Sequence, residues 1–140
     1  MKKRVVVDTN IVLSGFLSQK GIPSKILQAW INQEFISLLS SELKQEYFSV
    51  LEYSHIKQRL GHFYAEAFET LNFIVEKAKY VSIKKSKIHI FDDKDDDILM
   101  KIAIKGKAHY ILSGDKSVLK VKNYKNIQIL TAAEFLEILK

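Results

Sequence analysis

The chain of 140 residues contains no cysteine, which excludes a disulfide framework and any metal site built on thiolates. The four histidines (His55, His62, His89 and His109) lack the spacing of zinc ligands. No apolar run approaches the roughly 20 residues needed to cross a bilayer. The basic start leads into a short strand rather than the apolar core of a signal peptide, so we expect a cytoplasmic protein with no membrane partner.

Glycine and proline are also scarce, with five and one in the chain. No glycine-rich loop able to cradle phosphates is present, which excludes a nucleoside triphosphatase of the P-loop type. We find no linker, internal repeat or low-complexity stretch. Together with a hydrophobic content of 47%, this predicts one domain over residues 1–140 with a full hydrophobic core.

Charge is distributed unevenly along the sequence. The net charge is +6, yet five of the 16 acidic residues fall between Asp92 and Asp97. Lysines recur through most of the rest of the chain, and such a basic surface is typical of proteins that bind a polyanion, most often nucleic acid. Composition alone also allows lysine-rich faces that serve only solubility.

Strand and helix patterns alternate along the chain. The strands are predicted at 4–8, 35–39, 80–83, 109–113 and 126–130. The helices are predicted at 11–17, 24–30, 42–51, 56–78 and 95–104, with Ser24 and Ser41 as N-terminal caps of the second and third. A capping box from Thr131 to Glu134 opens a last helix. This order predicts an α/β fold, a three-layer α/β/α sandwich with a central, mainly parallel sheet.

Acidic residues follow the predicted strands in a way that points to one edge of the sheet. Asp8 ends the first strand, Asp115 follows the strand at 109–113, and Glu46 lies in the helix after the second strand. The Asp92–Asp97 run opens another helix. Ligands collect at the carboxyl ends of parallel strands. Oxygen ligands of this kind suit Mg²⁺ or Mn²⁺, and two such ions about 4 Å apart can promote phosphodiester cleavage.

Each of these acids also has an ordinary structural explanation. An aspartate after a strand often forms a turn or cap, and aspartates before a helix complement its dipole. Five aspartates exceed that need, so the combination indicates a functional site. Receiver-type phosphotransfer domains have acids upstream of the first strand's aspartate, where this chain has only basic residues. Haloacid-dehalogenase-like phosphatases need an aspartate at position 10, which is Asn10. A non-catalytic RNA- or partner-binding module remains the alternative.

Four segments, taken in order, resemble the motifs of PIN-domain ribonucleases. They are Val5 to Asn10, Glu46, Asp93 to Leu99, and Ala108 to Lys116. The resemblance is greatest to the toxin components of prokaryotic toxin–antitoxin systems. It implies a compact α/β/α sandwich, a Mg²⁺- or Mn²⁺-dependent endoribonuclease that leaves 5′-phosphate and 3′-hydroxyl ends, and a small antitoxin protein as partner.

The resemblance also assigns roles to individual residues. The acidic quartet of the family matches Asp8, Glu46, Asp96 and Asp115, and its small hydroxyl positions match Thr9 and Ser113. We predict supporting roles for Asn10, Asp93 and Asp97, and contacts of Lys94 and Lys116 with the RNA backbone. The sequence departs from the family pattern at Lys94, where proline is frequent, at Lys101, where a small residue is common, and at Ser117, where an acid often follows the last motif.

The orientation of the aspartate run can be predicted from a helical wheel. The buried face is defined by Ile98, Leu99, Ile102 and Ala103. Asp96 lies at the margin of that face, with Asp93 on the same side, whereas Asp97 is predicted to point away from it beside Lys101. Asp96 is therefore the predicted metal ligand, and Asp97→Asn is expected to retain most of the activity.

One apolar stripe has two interpretations. Phe63, Phe68, Leu71 and Phe73 recur at helical spacing, which favours packing on the core. A homodimer face formed by some of them is the alternative.

Overall fold

The computed structural model describes residues 1–140, and its central feature is one sheet of six strands. The strands are β1 (Arg4–Val7), β2 (Ile36–Leu39), β3 (Lys79–Tyr80), β4 (Tyr110–Leu112), β5 (Asn123–Tyr124) and β6 (Ile127–Leu130). Their order across the sheet is β3-β2-β1-β4-β6-β5. All neighbours are parallel except β5, which runs antiparallel to β6. The first strand therefore lies inside the sheet, between β2 and β4.

Eight α-helices surround the sheet. They are α1 (Thr9–Leu17), α2 (Ile22–Ile31), α3 (Ser41–Leu51), α4 (Ser54–Leu60), α5 (Tyr64–Glu76), α6 (Asp97–Lys105), α7 (Lys116–Leu119) and α8 (Ala132–Leu139). With the mainly parallel sheet they form the predicted three-layer α/β/α sandwich. Thirty-five buried apolar residues form one core cluster. Within it Val5 and Val6 are fully buried and Val7 almost so, as expected for a β-branched strand covered on both faces.

Close packing of α1 on α2 depends on Gly15. A Cβ atom at this position would lie 2.6 Å from Cδ1 of Leu27, well inside van der Waals contact. Glycine therefore allows the two helices to approach each other closely near the carboxyl end of α1.

Two predicted helix starts are wrong. Ser24 does not cap α2, because the helix begins two residues earlier, at Ile22. The hydroxyl of Ser24 instead donates to the carbonyls of Gln19 and Gly21, both at 2.8 Å. The cap of α3 is Ser40, one residue before the predicted one, and its hydroxyl accepts from the N–H of Leu43 at 3.2 Å. Adjacent serines are equally good caps, so the sequence does not distinguish Ser40 from Ser41.

The predicted continuous helix over 56–78 is also wrong. The chain forms α4, a 3₁₀ turn over Gly61–Phe63, and then α5. Gly61 has a φ of +54°, a conformation that glycine adopts at little cost and that ends α4. The apolar periodicity continues across this turn, which is why it gave no sign of the break.

The apolar stripe is only partly in the core. Leu71 is fully buried, whereas Phe63, Phe68 and Phe73 are 42%, 39% and 41% exposed. The prediction that these phenylalanines pack inside the protein is therefore wrong, and a homodimer face remains a prediction.

Near the carboxyl end, the capping box is confirmed. The hydroxyl of Thr131 accepts from the N–H of Glu134, whose carboxylate accepts from the N–H of Thr131. Two short elements, β5 and α7, were not predicted. No helix in the structure has both the length and the apolar character to pass through a membrane.

Candidate active site

The centre of the candidate site lies where β1 and β4 end side by side. Val7 pairs with Leu112 in the parallel register, and the N–H of Asp8 donates to the carbonyl of Leu112 at 2.9 Å. This hydrogen bond places Asp8 next to Ser113, the first residue after β4. With this register, both strands bring the polar residues that follow them to the same edge of the sheet, as expected from the sequence.

Two side chains join Asp8 to the turn after β4. The buried hydroxyl of Ser113 donates to Oδ2 of Asp8 at 2.7 Å and accepts from the N–H of Asp115 at 3.0 Å. Asn10 donates from Nδ2 to the same Oδ2 at 3.3 Å, while its Oδ1 accepts from the N–H of Gly114 at 3.1 Å. Asp8 precedes α1, but its side chain makes no capping hydrogen bond to that helix. The carboxylate is therefore held toward the turn that carries Asp115.

Glu46 reaches the site from α3. The hydroxyl of Thr9, which is itself buried, donates to Oε2 of Glu46. The next residue, Tyr47, anchors the same helix to β1. Tyr47 is fully buried, and its hydroxyl donates a hydrogen bond to the carbonyl of Val7 at 2.5 Å. Tyr47 was missed by the sequence analysis. Its position on the buried side of α3 is visible in the apolar pattern, but its bond to a strand 40 residues earlier has no sequence signal.

The aspartate run forms a compact turn before α6. Residues Lys94–Asp96 make one turn of 3₁₀ helix, which Asp93 caps by accepting from the N–H of Asp95 at 2.9 Å. Asp96 is half-buried, whereas Asp93 and Asp95 are exposed. The turn thus presents Asp96 to the rest of the site and gives Asp93 a local structural role.

Electrostatics shows that the acids share one environment. Burial raises the pKa of Asp8 to about 6. The hydrogen bond from Ser113 lowers this pKa, whereas the negative charges of Glu46 and Asp115 raise it further. Burial also raises the pKa of Asp96 to about 6, and the negative charges of Asp8, Asp115, Asp93 and Glu46 add to this effect. The predicted quartet is therefore brought together, with Asp93 at its margin.

Asp97 contradicts the helical-wheel prediction. Its carboxylate is not directed to solvent: the residue is only 2% exposed. Oδ1 accepts from the N–H groups of Ile90 and Phe91, both at 2.8 Å, and Oδ2 bonds to Nδ1 of His89 at 2.5 Å. Burial alone would raise the pKa of Asp97, but these hydrogen bonds outweigh it and lower the pKa. A helical wheel identifies the side facing the sheet, and it cannot show that segment 89–91 covers part of the other side.

The last acid, Asp115, is held by a residue that the sequence analysis treated only as a departure. Both the N–H and the hydroxyl of Ser117 donate to Oδ1 of Asp115, each at 2.9 Å. Asp115 thereby caps α7. An aspartate two residues before a serine at a strand end is a common turn pattern and could have revealed this contact. The predicted RNA-binding residues Lys94 and Lys116 are both exposed, next to Asp93 and Asp115 in the chain.

None of the four acids is paired with a cationic side chain. The ion pairs of the protein are Lys57–Glu52, His89–Asp97, Lys120–Asp92 and Lys140–Glu137. Asp8 is buried, Asp96 and Asp115 are half-buried and Glu46 is exposed, so the cost of a carboxylate without a counter-charge falls mainly on Asp8. No three carboxylate or imidazole groups converge closely enough to hold an ion by themselves. Mg²⁺ usually binds through one or two carboxylates and several waters, so this all-oxygen set fits Mg²⁺ or Mn²⁺.

The fold and the acidic site place the chain among the α/β proteins that carry their functional residues at the carboxyl edge of a mainly parallel sheet. The family model for the PIN domain matches residues 4–117, and the chain belongs to this family. PIN domains are generally nucleases. The chain is also 26% identical to the uncharacterized protein MJ1680 of Methanocaldococcus jannaschii, over 151 aligned positions that cover 98% of this chain and 92% of the other.

Proposed function

We propose that this protein is a Mg²⁺- or Mn²⁺-dependent endoribonuclease that hydrolyses phosphodiester bonds in RNA. The observation that carries this proposal is the group formed by Asp8, Glu46, Asp96 and Asp115, which influence one another electrostatically and have no cationic partner. A purely structural role for these carboxylates would leave the cost of their repulsion without compensation. The PIN family membership supports a nuclease, and the basic surface supports a polyanionic substrate.

The residues of the site have distinct roles in this proposal. Asp8 and Asp96 would hold the cation, and Glu46 and Asp115 would complete its surroundings directly or through water. When bound, a divalent cation supplies charge stabilisation and promotes attack of water on phosphorus. Ser113 and Asn10 both donate to Oδ2 of Asp8 and so fix its carboxylate. Asn10 is itself oriented by the N–H of Gly114, which donates to its Oδ1.

Binding of the RNA backbone is assigned to lysines at the rim. Lys94 and Lys116 flank the acidic site in sequence, and neither is engaged in an ion pair of the protein. Contacts with phosphates release counterions, so RNA binding should weaken as salt concentration increases. Lysines at the rim and acids at the centre would place the backbone above the cation.

The direct test is cleavage of single-stranded RNA by the purified protein, with Mn²⁺, with Mg²⁺ and with excess chelator. We expect cleavage only with a divalent ion, loss of cleavage in Asp8→Asn, and 5′-phosphate ends on the products. A DNA strand of the same sequence measures the preference for RNA. Binding of RNA without cleavage under every metal condition would instead support the non-catalytic RNA-binding module.

We further propose that the protein is the toxin of a toxin–antitoxin pair, with a small antitoxin protein as partner. The support for this role is the resemblance of its motifs to those of such toxins. Expression of the wild-type chain should arrest growth of a bacterial host, and Asp8→Asn should relieve the arrest while remaining folded. An arrest that persists with a folded Asp8→Asn protein would separate toxicity from the acidic site. Co-expression of the product of the adjacent reading frame tests the antitoxin.

A further inference from the structure

Asp97 is a buried carboxylate that the proposed cleavage reaction does not use. It is the first residue of α6, yet its three hydrogen-bond donors lie six to eight residues earlier in the chain, at Phe91, Ile90 and His89. Oδ1 accepts from the backbone N–H groups of Ile90 and Phe91, and Oδ2 bonds to Nδ1 of His89. All these bonds are made within the protein, and Asp97 is too buried to serve as an open metal ligand.

These bonds close a loop whose ends are Phe91 and Asp97. The loop contains residues 92–96, here called the acidic loop, and it includes Asp93 and Asp96. At its base Phe91 is 2% exposed and packs in the core, which gives the closure a rigid support. Inside the loop, the N–H of Asp96 donates to the carbonyl of Asp93 at 3.0 Å. The position of Asp96 is therefore determined by the closure at Asp97 and by one turn of 3₁₀ helix.

Helix capping does not account for Asp97. The N-cap position of α6 is occupied by Asp96, which makes no side-chain capping bond. The carboxylate of Asp97 satisfies backbone N–H groups outside the helix, in a segment without regular secondary structure between β3 and the acidic loop. This pattern is that of a side chain that fixes a loop.

We propose that Asp97 and His89 are positioning residues, which close the acidic loop and thereby present the carboxylate of Asp96 to Asp8 for binding the divalent cation. This inference rests on the proposed function. Residues that orient metal ligands typically contribute tenfold to a hundredfold to metal affinity or activity. We call the hydrogen bonds of Asp97 with His89, Ile90 and Phe91 the clamp. Because the side chain of His89 is 57% exposed, a substitution at His89 should weaken the clamp without disturbing the core.

The first experiment uses this exposed end of the clamp. His89→Ala removes one donor without creating a cavity in the core, and His55→Ala, at another exposed histidine, is the matched control. Mn²⁺ titration by calorimetry should give a dissociation constant raised about tenfold in His89→Ala and unchanged in His55→Ala. For RNA cleavage at saturating Mn²⁺ we expect a lower kcat with an unchanged KM, since RNA is held by other residues.

The second experiment compares two substitutions at Asp97. In Asp97→Asn the carboxamide oxygen can still accept from the N–H groups of Ile90 and Phe91, and its amide can donate to a neutral His89. Asp97→Ala loses all three bonds. We expect Asp97→Asn to bind Mn²⁺ within about threefold of wild type and Asp97→Ala to bind at least tenfold more weakly. Amide hydrogen exchange, measured by NMR without metal, should accelerate at Ile90 and Phe91 in Asp97→Ala.

The outcomes separate this inference from the proposed function. Wild-type protein that binds Mn²⁺ and cleaves RNA, with His89→Ala and Asp97→Ala unchanged in both properties, would overturn the positioning role alone. Equal losses in Asp97→Asn and Asp97→Ala would also overturn it, because hydrogen bonding would then not be the decisive property. Wild-type protein that neither binds Mn²⁺ nor cleaves RNA would overturn the proposed function and the inference together.

Discussion

At the residue scale, Asp8 combines burial with like charge. It is 8% exposed, and its side-chain donors, Ser113 and Asn10, both bond to the same oxygen, Oδ2. The two donors reduce the cost of ionisation without removing it, since the pKa remains raised to about 6. Ionised Asp8 therefore destabilises the metal-free fold, and a bound cation would reverse the sign of that contribution.

The stability of Asp8→Asn should depend on pH in a defined direction. Because the folded pKa lies above the unfolded value of about 3.9, the favourable contribution of Asp8 is present at low pH and is lost as pH rises through about 6. The carboxamide oxygen can take the place of Oδ2 for both donors. Without metal, we expect Asp8→Asn to be more stable than wild type at pH 7.5, with an advantage that shrinks by about 1 kcal/mol at pH 5.

Urea unfolding of both proteins at the two pH values measures this difference. Asp95→Asn is the control, because Asp95 is exposed and lies outside the group of acids that raises the pKa of Asp8. If the stability difference between Asp8→Asn and wild type is the same at both pH values, ionisation of Asp8 does not destabilise the folded state.

Within the acidic loop, neighbouring aspartates should differ sharply in their importance. Asp96 is half-buried and faces the other acids, whereas Asp95 is exposed. We expect Asp96→Asn to reduce the rate of RNA cleavage by about a thousandfold, equivalent to about 4 kcal/mol of transition-state stabilisation. Asp95→Asn should retain most of the rate. Cleavage rates in the reverse order, with both variants folded, would mean that Asp95 and not Asp96 serves the reaction.

At the element scale, the site is assembled from the ends of β1 and β4, the middle of α3 and the turn before α6. Tyr47 joins α3 to β1 through the carbonyl of Val7, one residue before Asp8. Burial raises the pKa of this tyrosine well above its ordinary value, and the negative charges of Asp8 and Glu46 act in the same direction. Tyr47 therefore stays protonated and available as a donor, and it fixes the helix that carries Glu46.

The bond from Tyr47 should be measurable in the free energy of unfolding. Tyr47→Phe keeps the ring but leaves a buried carbonyl without this donor, so we expect a loss of about 1–3 kcal/mol. Tyr53→Phe is the matched control, because Tyr53 is 51% exposed and should lose less than about 0.5 kcal/mol. Equal stability of the two variants would show that the carbonyl of Val7 needs no donor from α3.

The parts of the site that could be predicted from sequence are those fixed by strand ends. A strand followed by an aspartate places that residue at the sheet edge whatever the rest of the chain does, which holds for Asp8 and Asp115. The clamp between Asp97 and His89 could not be predicted in this way, because it depends on an irregular segment folding back on α6. The contact of Tyr47 with β1 depends likewise on how α3 packs. Local patterns specify elements, but they do not specify such contacts between distant segments.

At the scale of the whole molecule, most basic side chains are free of ion pairs within the protein. The chain carries 22 lysine and arginine residues, and only Lys57, Lys120 and Lys140 are in ion pairs. The acids of the site meanwhile repel one another. A basic exterior with an acidic centre suits a polyanion that is drawn to the surface and a cation that joins it to the protein.

Binding of this cation should stabilise the whole protein. A ligand that binds only the folded state adds a free energy set by mass action, about 2.7 kcal/mol at a concentration one hundred times the dissociation constant. We therefore expect the Tm to rise by several degrees in millimolar Mn²⁺ or Mg²⁺ at pH 7.5, and to return to its original value with excess chelator.

Ca²⁺ tests whether a divalent charge alone is sufficient to raise the Tm, since Ca²⁺ prefers six to eight ligands and longer bonds than Mg²⁺. Asp8→Asn, already relieved of repulsion, should respond to Mn²⁺ weakly or not at all. A Tm that is unchanged by Mn²⁺ in the wild-type protein, or that rises equally in both proteins, would place the effect of the ion away from Asp8.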